Sequence, residues 1–165
     1  MSARARVSGR LGAPGGFTLL EMMIVLTISA VGLTFALLSF GGYFQRVNAE
    51  HAAQVFAQDL SLARAMAVRS REAVVIRFYE GSLWYEVEAQ TSTTEVARRR
   101  FGVNADIDLS GIGLDFPGDS VVFDQRGIAD LSGIVGPLGT ANFSSGAVTY
   151  TVSFNSMGAS KIDRT

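Results

Sequence analysis

Glu21 is the most unusual of the residues in this chain that could do chemistry, because it lies near the start of an apolar segment, residues 17–40. The segment has 24 residues, of which 17 are apolar. A carboxylate at the centre of a membrane-spanning helix costs about 2.5–3.5 kcal/mol, and less near an end. Glu21 is the fifth residue of the segment, so it could remain near the interface as a harmless group on a plain membrane anchor.

Glu21 could instead pair with an amine from a neighbouring helix. The only charges in the first 16 residues are three arginines, Arg4, Arg6 and Arg10. If the chain were cut after Gly16, Phe17 would carry a new α-amino group. Two staggered helices could place this amine against the neighbour's Glu21. Neutralising both charges in lipid would favour that assembly and fix its register.

A second group of carboxylates, in the sequence DIDLSG at 106–111, copies the first half of an EF-hand calcium loop. Asp106 and Asp108 stand at positions one and three, and a glycine stands at position six. Position twelve, which requires a bidentate glutamate, is Pro117. Asp115 is close enough in sequence to supply a calcium ligand instead. Two interpretations stay open: a calcium site at Asp106, Asp108 and Asp115, and a polar surface loop, of which the loop is the better supported.

Most catalytic chemistry is excluded by the residue types present. The chain has no cysteine, which excludes disulfides, thiolate catalysis and cysteine-based zinc sites. Its one histidine, His51, has no carboxylate three or four residues away, so we expect a surface histidine and neither a metal pair nor a nucleophile–base pair. The sequence has no P-loop and no Gly-x-Ser-x-Gly motif. We therefore expect that the chain is not an enzyme and that it carries no cofactor or metal.

The apolar segment at 17–40 is predicted to be a transmembrane helix that follows a leader peptide, residues 1–16. As a helix it reaches roughly 36 Å, against about 30 Å for the hydrocarbon core of a bilayer. The leader arginines orient its N-terminal end to the cytoplasm, so the remainder should lie outside. Residues 17–165 hold 11 basic and 15 acidic side chains, which argues against bulk attraction to nucleic acid.

Residues 41–70 are predicted to extend this helix as an amphipathic half. Their apolar side chains recur at spacings of three and four and form one stripe: Ala52, Val55, Phe56, Leu60, Ala63, Met66 and Ala67. From Ala73 onward the chain is rich in β-branched and aromatic residues, which predicts strands at 73–79, 83–89, 94–101, 120–124, 147–154 and 159–162. The expected fold is α+β, a long N-terminal helix with a membrane half and an amphipathic half, packed on a small antiparallel β-sheet head at 71–165.

The stretch GGFTLLEMMIVLTISAV, at 15–31, resembles the N-terminal signature of type IV pilins and type II secretion pseudopilins. In that signature a basic leader ends in glycine and is followed by phenylalanine, by a glutamate four residues later and by an apolar helix. The resemblance implies a pilin-like fold and a prepilin-peptidase cut between Gly16 and Phe17. It also implies that Phe17 becomes the N-methylated first residue and that Glu21 pairs with a neighbour's amine.

Three stretches of the body resemble the GspH/FimT-type minor pseudopilins more narrowly. They are ARAMAVRSREAVVIRF (63–78), VVFDQRGIAD (121–130) and TVSFNSMGASKI (151–162). The resemblance implies a minor pseudopilin of a type II secretion filament, anchored in the inner membrane with its head in the periplasm. The implied partners are other pseudopilins or pilins, prepilin peptidase, and an exoprotein or the outer-membrane secretin.

A FimT-like minor pilin of a type IV pilus is the alternative, because some FimT-like pilins are DNA receptors for natural transformation. The densest positive cluster, Arg98-Arg99-Arg100, could contact phosphates. The DNA-binding arginines of that family lie near the C-terminal end, where this chain offers only Lys161 and Arg164. The better supported interpretation of the cluster is a solvated strand edge whose charges discourage edge-to-edge pairing.

Overall fold

The computed structural model describes residues 16–115, 118–134 and 136–165. The leader before Gly16, with its three arginines, and Pro117 of the candidate calcium loop lie outside the described residues. The chain divides into two compact units, Met1–Ser39 and Phe40–Thr165. One helix, α1 (Leu19–Ser70), begins in the first unit and ends in the second.

The first unit contains the N-terminal part of α1. Its large apolar side chains are exposed, as at Leu20, Leu26 and Ile28. By length and composition this helix is able to cross a membrane. Such a helix, with its apolar side chains uncovered on all sides, has the character of a membrane anchor.

The second unit combines the C-terminal part of α1 with antiparallel strands. In the described residues these are β1 (Val74–Tyr79), β2 (Trp84–Ala89), β3 (Glu95–Arg100), β4 (Gly111–Leu114), β5 (Ser120–Phe123), β6 (Gly139–Ser145), β7 (Val148–Phe154) and β8 (Ser160–Arg164). The strands form two sheets of four, with the orders β3-β2-β1-β5 and β4-β6-β7-β8. We call them the first and the second sheet.

The core of this unit lies where α1 meets both sheets, and Phe56 marks its centre. The Phe56 ring contacts Phe78 and Tyr85 of the first sheet, with ring centroids 5.4 and 5.6 Å away. It also contacts Phe143 and Phe154 of the second sheet, at 5.4 and 6.0 Å. The rest of the helix face is built mainly from alanines, whose small side chains let both sheets approach closely: Ala49, Ala52, Ala53, Ala63 and Ala67 are fully buried.

The expected α+β, pilin-like fold class is confirmed, and the predicted apolar stripe is the buried or half-buried face of α1. The head, however, contains two sheets where a single small sheet was expected. Strands β4 and β6 were not predicted. The inward-facing positions of β6 are Gly139, Ala141, Phe143 and Ser145, so three of its four buried residues are small and hide the apolar alternation.

Candidate functional site

The candidate assembly site is the N-terminal end of α1. Gly16, Phe17 and Thr18 precede the helix and adopt no regular secondary structure. The Glu21 backbone N–H donates to Thr18 Oγ1 at 3.1 Å. Thr18 and Glu21 therefore have the spacing of a capping box, in which the threonine hydroxyl satisfies one of the unpaired N–H groups of the first turn. The peptide bond between Gly16 and Phe17 lies outside the helix, and both Phe17 and Glu21 are exposed.

An ion pair between a buried aspartate and a partly exposed arginine fastens the helix to the first sheet. Asp59 on α1 is only 2% exposed, and it accepts hydrogen bonds from Arg99 Nε and Arg99 Nη2 at 2.8 and 2.9 Å. The Tyr85 hydroxyl donates to Asp59 Oδ2 at 2.8 Å. We call these three residues the Asp59 clamp. The hydrogen bonds that Arg99 donates to Asp59 raise the pKa of the Arg99 guanidinium. The pKa of the Tyr85 hydroxyl is also raised, first by burial and then by the nearby Asp59 charge.

The other two arginines of the triple-arginine cluster point elsewhere. Arg98 forms ion pairs with Glu86 at 3.1 Å and with Glu95 at 2.8 Å. Its guanidinium also lies over the Trp84 ring, 5.1 Å from the centroid. Arg100 is exposed and has no ion pair with another described residue. Of the three guanidinium groups, Arg98 and Arg99 are therefore already bound to carboxylates.

The remaining cations that could contact nucleic acid lie on a different sheet. Lys161 and Arg164 belong to β8, an edge strand of the second sheet, whereas the arginine cluster belongs to β3, an edge strand of the first. Lys161 Nζ pairs with Asp163 at 2.8 Å, and Arg164 is exposed. The structure thus places the two sets of cations on edges of separate sheets.

The candidate calcium ligands do not form a cluster. Asp106, Asp108 and Asp115 are all exposed, while Ile107 and Leu109 between them are buried. In the part of the chain that the structure describes, no group of three or more histidine, cysteine, aspartate or glutamate side chains is placed to hold a metal ion. His51 is exposed, as expected, beside a small cavity that it shares with Arg100 and Asp106.

A turn that follows β5 explains the pattern of the stretch at 121–130. Asp124 Oδ1 accepts the backbone N–H groups of Arg126 and Ile128, both at 2.9 Å. The bond from Ile128 contributes most to lowering the pKa of Asp124. Gly127 follows with φ +74°, and a Cβ there would lie 2.8 Å from Val68 Cγ2 on α1. Glycine is therefore required both by the left-handed backbone and by the close approach of the helix.

The clamp residues Asp59 and Tyr85 were not recognised from the sequence, although signals for two of the three clamp members were present. Asp59 lies three residues after Phe56 and four before Ala63, so helical spacing places its carboxylate inside the apolar stripe. Strand alternation likewise sends Arg99 to the opposite face of β3 from Arg98 and Arg100. A buried carboxylate needs a partner, and Arg99 is the inward-facing cation.

These features together define a pilin-like protein: a long N-terminal helix with an apolar first half, a capped helix start preceded by Gly16-Phe17, and a head of two sheets. The chain belongs to the GspH family: the model of the type II transport protein GspH matches residues 52–161. A second model, the prokaryotic N-terminal methylation motif, matches residues 14–37. The family consists of structural pilin-like subunits, which implies assembly with other pilin subunits in a filament. No curated protein sequence matches the chain.

Solved structures of minor pilins share the fold. A crystal structure of the type IV minor pilin FimU of Pseudomonas aeruginosa PAO1 superposes with a TM-score of 0.53 at 17% identity, covering 73% of this chain and 92% of FimU. A second crystal form of FimU gives 0.50 at 16% identity, with 69% and 91% covered. The minor pseudopilin EpsH from the type 2 secretion system of Vibrio cholerae gives 0.47 at 16% identity, with 71% and 97% covered. At these identities the FimU structures show the fold alone.

Proposed function

We propose that this chain is a minor pseudopilin of a type II secretion filament and promotes protein export across the outer membrane. The observation that carries the proposal is the match to the GspH model over residues 52–161, on the same chain as the methylation motif over 14–37. The likeness to FimU does not separate a secretion filament from a type IV pilus, because it concerns the fold only.

In this proposal prepilin peptidase removes the leader, residues 1–16, and Phe17 becomes the N-methylated first residue. The start of α1 supports the cut, because residues 16–18 precede the helix and leave the scissile bond in irregular backbone that a protease can bind. Residues 17–40 then span the inner membrane, residues 41–70 continue the helix, and residues 71–165 form a periplasmic head. A separate cytoplasmic ATPase supplies the energy for assembly.

In this proposal the Glu21 carboxylate forms an ion pair with the positively charged Phe17 amine of a neighbouring subunit. Both groups are expensive to bury alone in lipid, and their pairing offsets that cost while it sets the stagger of adjacent helices. We expect Glu21→Ala to be cleaved normally but to enter the filament poorly. Thr34→Ala is the matched control, because the Thr34 hydroxyl donates to the Ala30 carbonyl of its own helix at 2.9 Å. Normal incorporation of Glu21→Ala would disprove the pairing.

The experiment that tests the function is the protein profile of the periplasm and the medium in a strain that lacks this gene, with complementation. The proposal expects specific exoproteins to accumulate in the periplasm and to be released when the gene is restored. An unchanged profile would reject the secretion role and favour the type IV pilus.

The second candidate function is that of a FimT-like minor pilin that contributes to pilus assembly or DNA uptake, and a fold like that of FimU is equally compatible with it. DNA contact would depend on Arg100 and Arg164 more than on Arg98, Arg99 and Lys161, whose cationic groups are bound to carboxylates. Salt-sensitive DNA binding, weakened by Arg100→Ala and Arg164→Ala together, would support it. Loss of natural transformation with normal exoprotein release would separate it from the secretion role.

A further inference from the structure

A small aromatic patch lies on α1 directly after the predicted membrane span. Tyr43 and Phe44 are 62% and 60% exposed, and Val47, one turn further along the helix, is 41% exposed. The rings of Tyr43 and Phe44 are in edge contact, with their centroids 6.1 Å apart. We call these three residues the aromatic patch.

The aromatic patch faces away from the head, because the same turns of the helix use other side chains to contact the second sheet. Arg46 Nε donates to the Tyr150 hydroxyl of β7 at 3.4 Å, and Ala49 is fully buried. In the turn between β6 and β7, Gly146 approaches Gln45 so closely that a Cβ there would lie 2.5 Å from Gln45 Cδ. The head therefore covers one side of these helical turns and leaves the patch uncovered.

The charge pattern places the patch at the end of the apolar part of the chain. No residue between Glu21 and Arg46 is charged. Arg46 is exposed and has no ion pair with another residue that the structure describes. A tyrosine followed by an arginine at the end of an apolar helix is typical of the membrane–water interface. There the ring lies at headgroup level, and the long cationic side chain extends toward the lipid headgroups.

The predicted span alone does not fix the depth of the helix in a membrane. Residues 17–40 reach roughly 36 Å as a helix, which exceeds the hydrocarbon core by about 6 Å, or one helical turn. Apolar residues at either end can therefore enter or leave the core at a modest cost in free energy. A tyrosine at one end removes that freedom, because its ring is apolar while its hydroxyl requires water or headgroups.

We propose that the aromatic patch, together with Arg46, binds the phospholipid headgroup region of the membrane and sets the depth of the anchor. The two rings then lie at the level of the glycerol and phosphate groups, and Arg46 contacts phosphate oxygens. The turn at residues 146–147 contacts the helix at Gln45, so this part of the head rests on the same leaflet. The inference rests on the proposed membrane span at residues 17–40, and it adds a surface of the head to the membrane contact.

Spin labels on single cysteines test the proposed depth, because the natural chain has no cysteine. The full-length protein is reconstituted into vesicles of phosphatidylethanolamine and phosphatidylglycerol. The accessibility of each label to oxygen, which concentrates in lipid, is compared with its accessibility to a water-soluble nickel chelate. Labels on Val47→Cys and Ala147→Cys should lie within one helical turn, about 5 Å, of the phosphate level. The control is Gln54→Cys, exposed on α1 about 10 Å beyond Val47, whose label should be as accessible to the chelate as one free in water.

The results separate lipid from other occupants of the patch. Labels on Val47→Cys and Ala147→Cys that are as accessible to the chelate as the Gln54→Cys label would overturn the proposal. Shielding of both labels from oxygen and chelate alike would also overturn it, because protein and not lipid would then cover the patch. A label on Ile28→Cys in the same vesicles tells separately whether the proposed span holds, since it should be accessible to oxygen only.

Serine substitution shows whether the aromatic patch itself sets the depth. Tyr43→Ser with Phe44→Ser should move the Val47→Cys label outward by one helical turn, about 5 Å, because the polar residues enter water while the predicted span still fills the core. Leu62→Ser with Val68→Ser is the matched control. Both residues are exposed on the same helix, at 38% and 51%, but they follow residue 40 by 22 and 28 residues, so the label should keep its depth. Equal label depths in the two double variants would overturn the proposal.

Discussion

Arg99 binds Asp59 through two hydrogen bonds, Nε to Oδ2 at 2.8 Å and Nη2 to Oδ1 at 2.9 Å. The pair joins the helix to the edge strand of the first sheet. Its two ends differ in environment: the Asp59 side chain is 3% exposed and the Arg99 side chain 43%. Loss of the arginine therefore strands a buried charge, whereas loss of the aspartate leaves a cation that can turn into water.

Arg99→Ala should lower the free energy of unfolding by about 3–5 kcal/mol, the usual cost of leaving a buried charge without its partner. Urea denaturation of the full-length protein measures it, with the fluorescence of Trp84, the only tryptophan, as the signal. The matched control is Arg100→Ala on the same strand, which should change stability by less than about 0.5 kcal/mol because Arg100 is exposed and unpaired among the described residues. Equal losses for the two variants would show that the Asp59 clamp does not stabilise the head.

Tyr85 should make the head sensitive to alkali. Burial and the Asp59 charge raise its pKa in the folded state above the ordinary value of about 10. The folded state thus holds the phenolic proton more tightly, so this stabilisation is complete below pH of about 10 and declines as the pH rises further. Tyr85→Phe should cost about 1–3 kcal/mol near neutral pH, since Asp59 loses a donor, and the difference from wild type should shrink above pH of about 10.

Stability curves in urea from pH 7 upward, at roughly half-unit steps, test the alkaline sensitivity assigned to Tyr85. Tyr43→Phe serves as the control, because Tyr43 is 62% exposed on α1. Parallel curves for wild type and Tyr85→Phe through the alkaline range would contradict the expectation.

Gly127→Ala should destabilise the head by about 1–2 kcal/mol from the left-handed backbone alone, since φ at Gly127 is +74°. The added Cβ would also lie 2.8 Å from Val68 Cγ2 and 2.9 Å from Arg64 Cγ, so α1 or the turn must shift. Gly81→Ala is the control, because nothing lies within 4 Å of a Cβ there. Midpoints of urea unfolding compare the two, and a Gly127→Ala protein as stable as Gly81→Ala would refute the requirement for glycine.

Thr18→Val should loosen the first turn of α1, because valine has the shape of threonine but no acceptor for the Glu21 N–H. Loss of such a cap costs about 1 kcal/mol, which corresponds to about fivefold faster hydrogen exchange at the Glu21 amide. Thr18→Ser keeps the hydroxyl and should exchange like wild type. The measurement is hydrogen exchange by NMR in detergent micelles, and unchanged protection in Thr18→Val would remove the capping role.

The long helix could be predicted because its apolar stripe repeats over many turns, and β1 and β2 because their residues are β-branched and aromatic. β4 and β6 could not. β4 is only four residues long, and two of them are the glycines Gly111 and Gly113, which are unfavourable in strands. In β6 three of the four buried residues are small. The second sheet depends on pairings between distant segments, such as Leu114 with Ala141, which no local pattern contains.

Local sequence patterns likewise predicted the N-terminal assembly residues but not the Asp59 clamp. Gly16, Phe17 and Glu21 form a contiguous motif, so they were found together, and their proposed roles remain predictions. The partner of Asp59 depends on the register of β3, which shifts at a bulge between Val87 and Glu88 of β2. A pattern along the chain shows which face Arg99 takes, but the tertiary packing decides which carboxylate it meets.

The contacts of Phe56 with both sheets also govern when the head can fold. Its partners extend from Phe78 in β1 to Phe154 in β7, so the core closes only after nearly the whole chain has been made. Contacts between residues so far apart in sequence slow folding, because a long loop must be closed before they stabilise anything. A nascent chain that lacks β6 and β7 would keep the alanine face of α1 open. In the proposed topology, in which the head crosses the inner membrane, this late closure leaves the polypeptide unfolded until its last strands have crossed.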